Sequence, residues 1–266
     1  MYDIIAVISG KGGVGKSTVA TNLAISLAHL KKEGSSEHNK VALIDCDFYG
    51  PSIPTLMGNA KVGINENKKL VPPEKHGVKF ISIGFFLEHP DDPVIWRGPM
   101  FQKAMMQMFE DVEWGEVDYC IVDMPPGTGD AALSLAQNFP LAGAIVVTTP
   151  QEVALSDVRK AINMLSKVEV PLIGIVENMS GFAAEDGKVY HIFGEGGGKR
   201  LAELYGCPLL ASIPLEPSIR EGGDTAKPCS AMESGPGRAI FDDLALKVAE
   251  QVVKVRPRSS RLTVVN

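Results

Sequence analysis

The 266 residues are enough for one large α/β domain, and 45% hydrophobic with 22% charged residues is ordinary for a soluble globular protein. The net charge of −6 gives no electrostatic reason to expect nucleic-acid binding, which normally needs a basic surface. No apolar run approaches the ~18 residues of a membrane span, so no membrane association is expected. The start of the chain lacks the pattern of a signal peptide.

The four cysteines are scattered and form no C-x-x-C pair. Neither a disulfide framework nor a zinc ribbon is therefore predicted, and a reduced, cytoplasmic protein is the simplest interpretation. The cysteines are Cys46, Cys120, Cys207 and Cys229.

Short apolar runs rich in β-branched residues recur along the chain and predict strands. Nearly all are apolar throughout, which is typical of parallel strands covered on both faces. These runs span 3–9, 41–46, 78–84, 118–124, 143–149, 171–178 and 208–214. Amphipathic stretches between them predict helices at 16–31, 99–110, 151–167, 197–205 and 237–253.

This alternation predicts an α/β fold with a doubly wound, mostly parallel sheet and helices on both faces. Ligands of such sheets gather where the strands end, which places the residues after 9, 45, 123, 149 and 177 at one edge.

Two polar segments, 31–40 and 59–77, predict surface loops, the second with a small hairpin. We predict one domain over 1–253, followed by a basic tail over 254–266.

Residues 10–17, GKGGVGKS, match the phosphate-loop pattern G-x-x-x-x-G-K-[ST] between a predicted strand and a predicted helix. Glycines let the backbone N–H groups of such a loop wrap the phosphates. Lys16 would reach the β- and γ-phosphates, and the Ser17 hydroxyl would bind Mg²⁺. The predicted nucleotide-binding residues of the loop are Gly10, Lys11, Gly12, Gly13, Val14, Gly15, Lys16, Ser17 and Thr18.

Two acids are predicted at the same edge of the sheet. Asp123 ends the apolar run YCIVD, as an acid on the metal side of a phosphate site does, and Asp47 follows the second strand. Acids at strand ends also cap turns and helices, but a phosphate loop at this edge favours a nucleotide-site role.

The stretch GKGGVGKST, with its early Lys11, resembles the deviant Walker A loop of the MinD/ParA-type P-loop ATPases. Further stretches resemble the Mrp/ApbC branch, the ATP-dependent iron–sulfur cluster carriers. They are DCDFYGPSIPTLMG (45–58), PVIWRGP (93–99), DMPPGTGD (123–130), TTPQEVALSDVRKAINM (148–164), GIVENMS (174–180), IFGEGGG (192–198) and IPLEPSIREGGD (213–224).

The resemblance implies an ATP- and Mg²⁺-dependent homodimer in which Lys11 crosses to the phosphates held by the other subunit. It implies that Asp47 positions the attacking water and that Asn178 hydrogen-bonds the adenine. It also implies that Ser17 and, through water, Asp123 hold the Mg²⁺.

The sequence departs from that branch at its cluster ligands. Members that carry a cluster have a C-x-x-C after the NMS stretch, whereas Ala183, Ala184, Glu185 and Asp186 stand here. His191 and the acids could bind a harder metal, but surface residues of a turn are the simpler interpretation.

The remaining cysteines do not obviously replace that pair. Cys46 and Cys120 are predicted to be buried in strands, and Cys207 and Cys229 lie near predicted loops, where a thiol can be accessible.

The predicted protein is an ATPase that assembles or delivers a metal cofactor, iron–sulfur by resemblance, to an apo-metalloprotein client or an assembly factor. One alternative is a cluster-free maturation ATPase, for example for hydrogenase, which the missing cysteines favour. Another is a MinD/ParA-like positioning switch, but neither a basic DNA-binding face nor a C-terminal membrane helix is evident.

Overall fold

The computed structural model describes residues 2–86, 98–127 and 130–255. The predicted stretches at 93–99 and 123–130 lie partly outside these ranges, as does most of the predicted tail.

The strands follow the order of the apolar runs, with short additions between them. They are β1 (Asp3–Ser9), β2 (Val41–Asp45), β3 (Gly63–Ile64), β4 (Leu70–Val71), β5 (Glu74–Lys75), β6 (Val78–Ser82), β7 (Tyr119–Asp123), β8 (Leu141–Thr148), β9 (Leu172–Asn178), β10 (Phe182–Ala183), β11 (Val189–Tyr190) and β12 (Leu209–Ile213).

The helices lie between these strands, and two short 3₁₀ helices cover Ile83–Phe86 and Cys229–Ala231. The α-helices are α1 (Lys16–His29), α2 (Ile53–Met57), α3 (Gly98–Glu110), α4 (Asp130–Asn138), α5 (Glu152–Lys167), α6 (Gly197–Tyr205), α7 (Pro217–Asp224) and α8 (Pro236–Val255).

Eight strands form the central sheet in the order β12-β9-β8-β1-β7-β2-β6-β5. All neighbours pair in parallel except β5, which is antiparallel to β6 at one edge. The chain therefore winds outward from β1 in both directions, and the predicted doubly wound sheet is confirmed.

Both faces of the sheet are covered, because alternate residues of its strands enter two separate cores. Ile5 and Val7 of β1 pack into the core beneath α1 and α8, whereas Ile4, Ala6 and Ile8 pack into the core on the opposite face. Burying each aliphatic side chain of this size contributes about 1.5–3 kcal/mol to the free energy of unfolding.

The predicted strands and helices are all present, with small shifts at their ends, and β3 and β4 form the hairpin expected within 59–77. The three helices α2, α4 and α7 were not predicted. Helix α8 continues through Val255, two residues into the predicted tail, and the division into domain and tail stays a prediction. Within the described ranges, no helix is long and apolar enough to cross a membrane.

Candidate nucleotide site

The glycine-rich loop lies between the end of β1 at Ser9 and the start of α1 at Lys16. Gly15 adopts a left-handed conformation with φ of 84° directly before the helix, a geometry that disfavours side chains. At Gly10, a Cβ would lie 2.5 Å from the backbone of Asp157 and Val158, so only glycine allows α5 to pack this close. The first turn of α1 faces the cleft, so the positive end of its helix dipole points at the place where phosphates would bind.

Lys16 connects the loop to both predicted acids. Its Nζ lies 2.6 Å from Asp123 Oδ1 and 3.5 Å from Asp47 Oδ2, and it donates to Ser17 Oγ at 3.3 Å. Asp123 is fully buried and Lys16 is 6% exposed. The lysine ammonium is therefore a buried counter-ion to two carboxylates at the ends of neighbouring strands.

A third carboxyl group lies next to this pair, because Asp45 of β2 is the register partner of Asp123 and accepts a hydrogen bond from the Asp47 N–H. Burial raises the pKa of Asp123, and the charge of Lys16 opposes that rise. Burial likewise raises the pKa of Asp47 against the effect of Lys16. Burial and the charge of Asp123 raise the pKa of Asp45, and hydrogen bonds from Ser82, Asp47 and Ile53 oppose that rise. This buried corner holds more carboxyl groups than cations, and a bound cation would favour their ionised forms.

One oxygen of this corner is available to a ligand. Asp123 Oδ2 is buried and has no hydrogen-bond partner among the residues that the structure describes. An unpaired buried carboxylate oxygen costs free energy unless a donor or a cation satisfies it. The Ser17 hydroxyl beside Lys16 adds a second oxygen ligand of the kind that Mg²⁺ prefers.

Asn178 ends β9 and reaches across to the glycine-rich loop. Its Nδ2 donates to the Val14 carbonyl at 2.9 Å, and a Cβ on Gly15 would lie 2.2 Å from the same nitrogen. The resemblance predicted adenine recognition by this amide. The contact gives Asn178 a further part, because it ties the end of β9 to the phosphate loop.

The glycine-rich loop and Asp47 line a cleft of about 720 Å³, large enough for a nucleotide, whereas Asp123 lies buried behind Lys16. Thr18 lines it at the start of α1, and Gly12 and Gly13 line it at the exposed side of the loop. Residues without a predicted role form the wall beyond Asn178, and they come from the stretches after β9 and β12. They are Met179, Pro214, Leu215, Glu216, Ile219, Arg220, Gly223 and Asp224.

Lys11 lines the same cleft and is half-buried. Its carbonyl accepts a hydrogen bond from Ser9 Oγ at 3.0 Å, whereas its ammonium makes no hydrogen bond or ion pair with any residue of the described ranges. The two lysines therefore differ in their contacts, since the Lys16 ammonium is held by buried acids and the Lys11 ammonium is not.

Substituting Gly15 by alanine tests the contact with Asn178. We expect Gly15→Ala to weaken ATP binding about tenfold, because a left-handed non-glycine residue costs about 1–2 kcal/mol and the Asn178 amide must leave Val14. Calorimetric titration with ATP measures the effect. Gly34→Ala is the matched control, since Gly34 also has a positive φ of 70° but nothing lies near its added Cβ. Equal ATP affinity in both variants would contradict the expectation.

None of the four cysteines lines the cleft, and one prediction about them is wrong. Cys46 and Cys120 are buried as predicted, but Cys229 is also buried rather than accessible. Its Sγ donates to Asn22 Oδ1 at 3.2 Å, and burial raises its pKa to about 11. Cys207 is half-buried, and burial raises its pKa as well. Thiolate, the form that binds metals, is disfavoured at both.

The region of the missing C-x-x-C is a short exposed hairpin formed by β10 and β11. Glu185 and Asp186 are exposed at its turn, and His191 Nδ1 contacts the Ser180 carbonyl at 3.0 Å. The interpretation as surface residues of a turn is confirmed for Glu185 and Asp186, whereas His191 is exposed directly after β11. Across residues 2–86, 98–127 and 130–255, no three His, Cys, Asp or Glu side chains are grouped so that they could hold a metal ion.

Comparisons with known proteins agree with a nucleotide site in the cleft. The iron-sulfur cluster carrier protein of Aquifex aeolicus is 46% identical over 256 residues, which are 94% of this chain and 68% of that protein. The mitochondrial iron-sulfur protein required for NADH dehydrogenase of Arabidopsis thaliana is 46% identical over 259 residues, 96% of this chain and 80% of that protein.

A solved structure is similar over most of its length. The nucleotide-binding protein of Archaeoglobus fulgidus in complex with ADP superimposes with a TM-score of 0.73 at 36% identity, covering 88% of this chain and 89% of that chain. Residues 1–252 also match the family described as ParA: NUBPL iron-transfer P-loop NTPase. The chain therefore belongs to the NUBPL iron-transfer P-loop NTPases of the ParA group.

Proposed function

We propose that the protein binds and hydrolyses ATP with Mg²⁺, and that this reaction drives the assembly or delivery of an iron–sulfur cofactor. The observation that carries the proposal is Lys16, a buried ammonium held between Asp123 and Asp47 beneath a glycine-rich loop. The Archaeoglobus relative was solved with ADP, and the Aquifex relative is named as a cluster carrier.

Each residue of the corner would have its own role in ATP binding or hydrolysis. Lys16 would leave Asp123 for the β- and γ-phosphates, and the freed Asp123 and Ser17 would hold Mg²⁺, which neutralises phosphate charge. Asp47 lines the cleft, where its carboxylate would orient a water for attack on the γ-phosphorus. Asn178 and the wall beyond it would hold the base, and an amide offers the base both a donor and an acceptor.

A homodimer would complete the site, with Lys11 reaching the phosphates of the partner subunit. The exposed Gly12 and Gly13 leave open space beside Lys11. The long Lys11 side chain would carry its ammonium outward through this space to the partner subunit. A second cation at the γ-phosphate would act as an arginine finger does in other phosphate-loop enzymes.

A second candidate function keeps the ATPase but places the metal on the client. The observation that favours it is the burial of Cys46, Cys120 and Cys229 together with the absence of a C-x-x-C at the β10–β11 hairpin. A cluster shared by two subunits needs four ligands, normally thiolates, and carboxylates or imidazoles are poorer ligands for iron–sulfur clusters. The client would then supply the thiolates.

Anaerobic reconstitution with iron and sulfide separates the two candidates. We expect no stable cluster absorbance at about 400 nm, while the same sample still hydrolyses ATP in a Mg²⁺-dependent reaction. A cysteine pair introduced by Ala183→Cys and Asp186→Cys at the exposed hairpin should recover partial cluster binding. A full cluster on the unmodified protein would instead support a carrier, and Cys207→Ser and Cys229→Ser would identify its ligand.

A further inference from the structure

Asp45 is a fully buried carboxylate to which the nucleotide site assigns no part. It ends β2, where the parallel register sets it beside Asp123 of β7 and Ser82 of β6. Because its hydrogen bonds go to residues that follow β2, they determine how the chain leaves the sheet there.

Both oxygens of Asp45 accept hydrogen bonds from separate points of the chain. Oδ1 accepts from the backbone N–H of Asp47 at 3.1 Å. Oδ2 accepts from the backbone N–H of Ile53 at 3.2 Å and from the Ser82 hydroxyl at 2.9 Å. One carboxylate therefore holds the two ends of the segment 47–53, and Ser82 fixes that carboxylate to the next strand.

The segment 47–53 forms one wall of the nucleotide cleft. Asp47, Gly50, Pro51 and Ser52 line the cleft, and the Asp47 carboxylate contacts Lys16. Inside the segment, the Gly50 N–H donates to the Asp47 carbonyl, and Ser52 Oγ donates to the Gly50 carbonyl. Asp45 thus ties both ends of this wall to the sheet.

We propose that Asp45 is a positioning residue for ATP hydrolysis, which holds the Asp47 carboxylate at the angle required for the attacking water. The proposal rests on the hydrolysis proposed above. Displacing a positioned group by about 1 Å can lower a catalytic rate about 100-fold, whereas ATP binding depends on the loop and Lys16.

The isosteric variant Asp45→Asn isolates this effect. An amide keeps one acceptor oxygen and replaces the other with an NH₂ group, which cannot accept a hydrogen bond. Ser82 can reverse its hydroxyl and accept, but the backbone N–H groups of Asp47 and Ile53 cannot. Whichever way the amide turns, one end of the 47–53 segment is released.

We expect Asp45→Asn to lower kcat for ATP at least about tenfold, with KM for ATP within about threefold of the unmodified protein. Amide hydrogen exchange across 47–53 should become faster in the same variant. Ser82→Ala removes one of the three donors and should lower kcat less. It serves as the second variant if Asp45→Asn does not fold.

Glu177→Gln is the matched control, because Glu177 is also a buried carboxylate near the end of a parallel strand and accepts from the N–H of Gly198. It should lower stability and leave kcat and exchange across 47–53 unchanged. An Asp45→Asn kcat equal to that of the unmodified protein, or equal losses of kcat in Asp45→Asn and Glu177→Gln, would overturn the proposal. So would fast exchange at Asp47 and Ile53 in the unmodified protein.

If the unmodified protein hydrolyses no ATP, the proposed function fails and hydrogen exchange still decides whether Asp45 holds the segment. Unchanged exchange in Asp45→Asn would then overturn the positioning role, and faster exchange would support it.

Discussion

Lys16→Ala is expected to abolish measurable ATP binding. The ammonium lies buried at the floor of the cleft, where it would contact the β- and γ-phosphates directly. Truncating one partner of a buried, hydrogen-bonded charge pair costs about 2–5 kcal/mol, which corresponds to a loss of roughly 30- to 4000-fold in affinity. Calorimetric titration of the purified variant with Mg²⁺ and ATP measures this loss.

The same substitution leaves Asp123 without its counter-ion, so stability must be measured beside affinity. Removing one partner from a buried ion pair costs about 3–5 kcal/mol, because the other charge stays buried. Lys16→Met retains more of the side-chain volume and keeps the test valid if the alanine variant unfolds. Lys188→Ala, at an exposed ion pair with Asp186, is the control that should bind ATP normally. Full-strength ATP binding by a folded Lys16 variant would refute the phosphate-loop role.

The sheet could be predicted because its strands are unusually uniform. In β1 every residue from Ile4 to Ile8 is apolar and buried, and consecutive residues enter different cores. An uninterrupted apolar run of this length is typical of a strand with helices on both faces. The edge strand β5 could not be predicted in this way, since its two residues depend on pairing with β6.

Helix α7 shows why some helices escaped prediction. It contains Gly222 and Gly223. A glycine in a helix interior makes helix formation about 1 kcal/mol less favourable than an alanine does. In the folded chain a Cβ at Gly222 would lie 2.5 Å from the Lys227 carbonyl, and one at Gly223 would lie 3.1 Å from Leu56 of α2. The glycines therefore serve tertiary packing, which no local pattern shows.

The candidate site likewise contains residues that local patterns could predict and contacts that they could not. The phosphate loop, Asp47 and Asp123 could be placed together because the carboxyl ends of parallel strands meet at one edge. The bond from Asn178 to Val14 joins residues far apart in the chain, so spacing could not indicate it. The burial of Cys229 has the same origin, because its 3₁₀ helix packs on α1 through Asn22.

Lys11→Ala is expected to have the second large effect, on hydrolysis rather than on binding. Lys16 and the loop backbone remain, so ATP affinity should stay within about threefold of the unmodified protein. A cation supplied to the transferred phosphoryl group by a partner is worth roughly 10³–10⁵ in kcat, and hydrolysis should fall below detection. ATP-dependent dimerisation, followed by light scattering, should be lost as well.

Mixing Lys11→Ala with Asp47→Asn tests whether Lys11 acts across the dimer. In a mixed dimer the Lys11→Ala subunit keeps its own Asp47 and receives Lys11 from its Asp47→Asn partner, so that one site is complete. Each verified mixed dimer should show about half the activity of an unmodified dimer, because one of its two sites works. If Lys11 acts within its own subunit, neither site of the mixed dimer is complete. Verified mixed dimers without recovered ATPase activity would therefore assign Lys11 to its own nucleotide and leave the free ammonium in the cleft without a part in the partner's site.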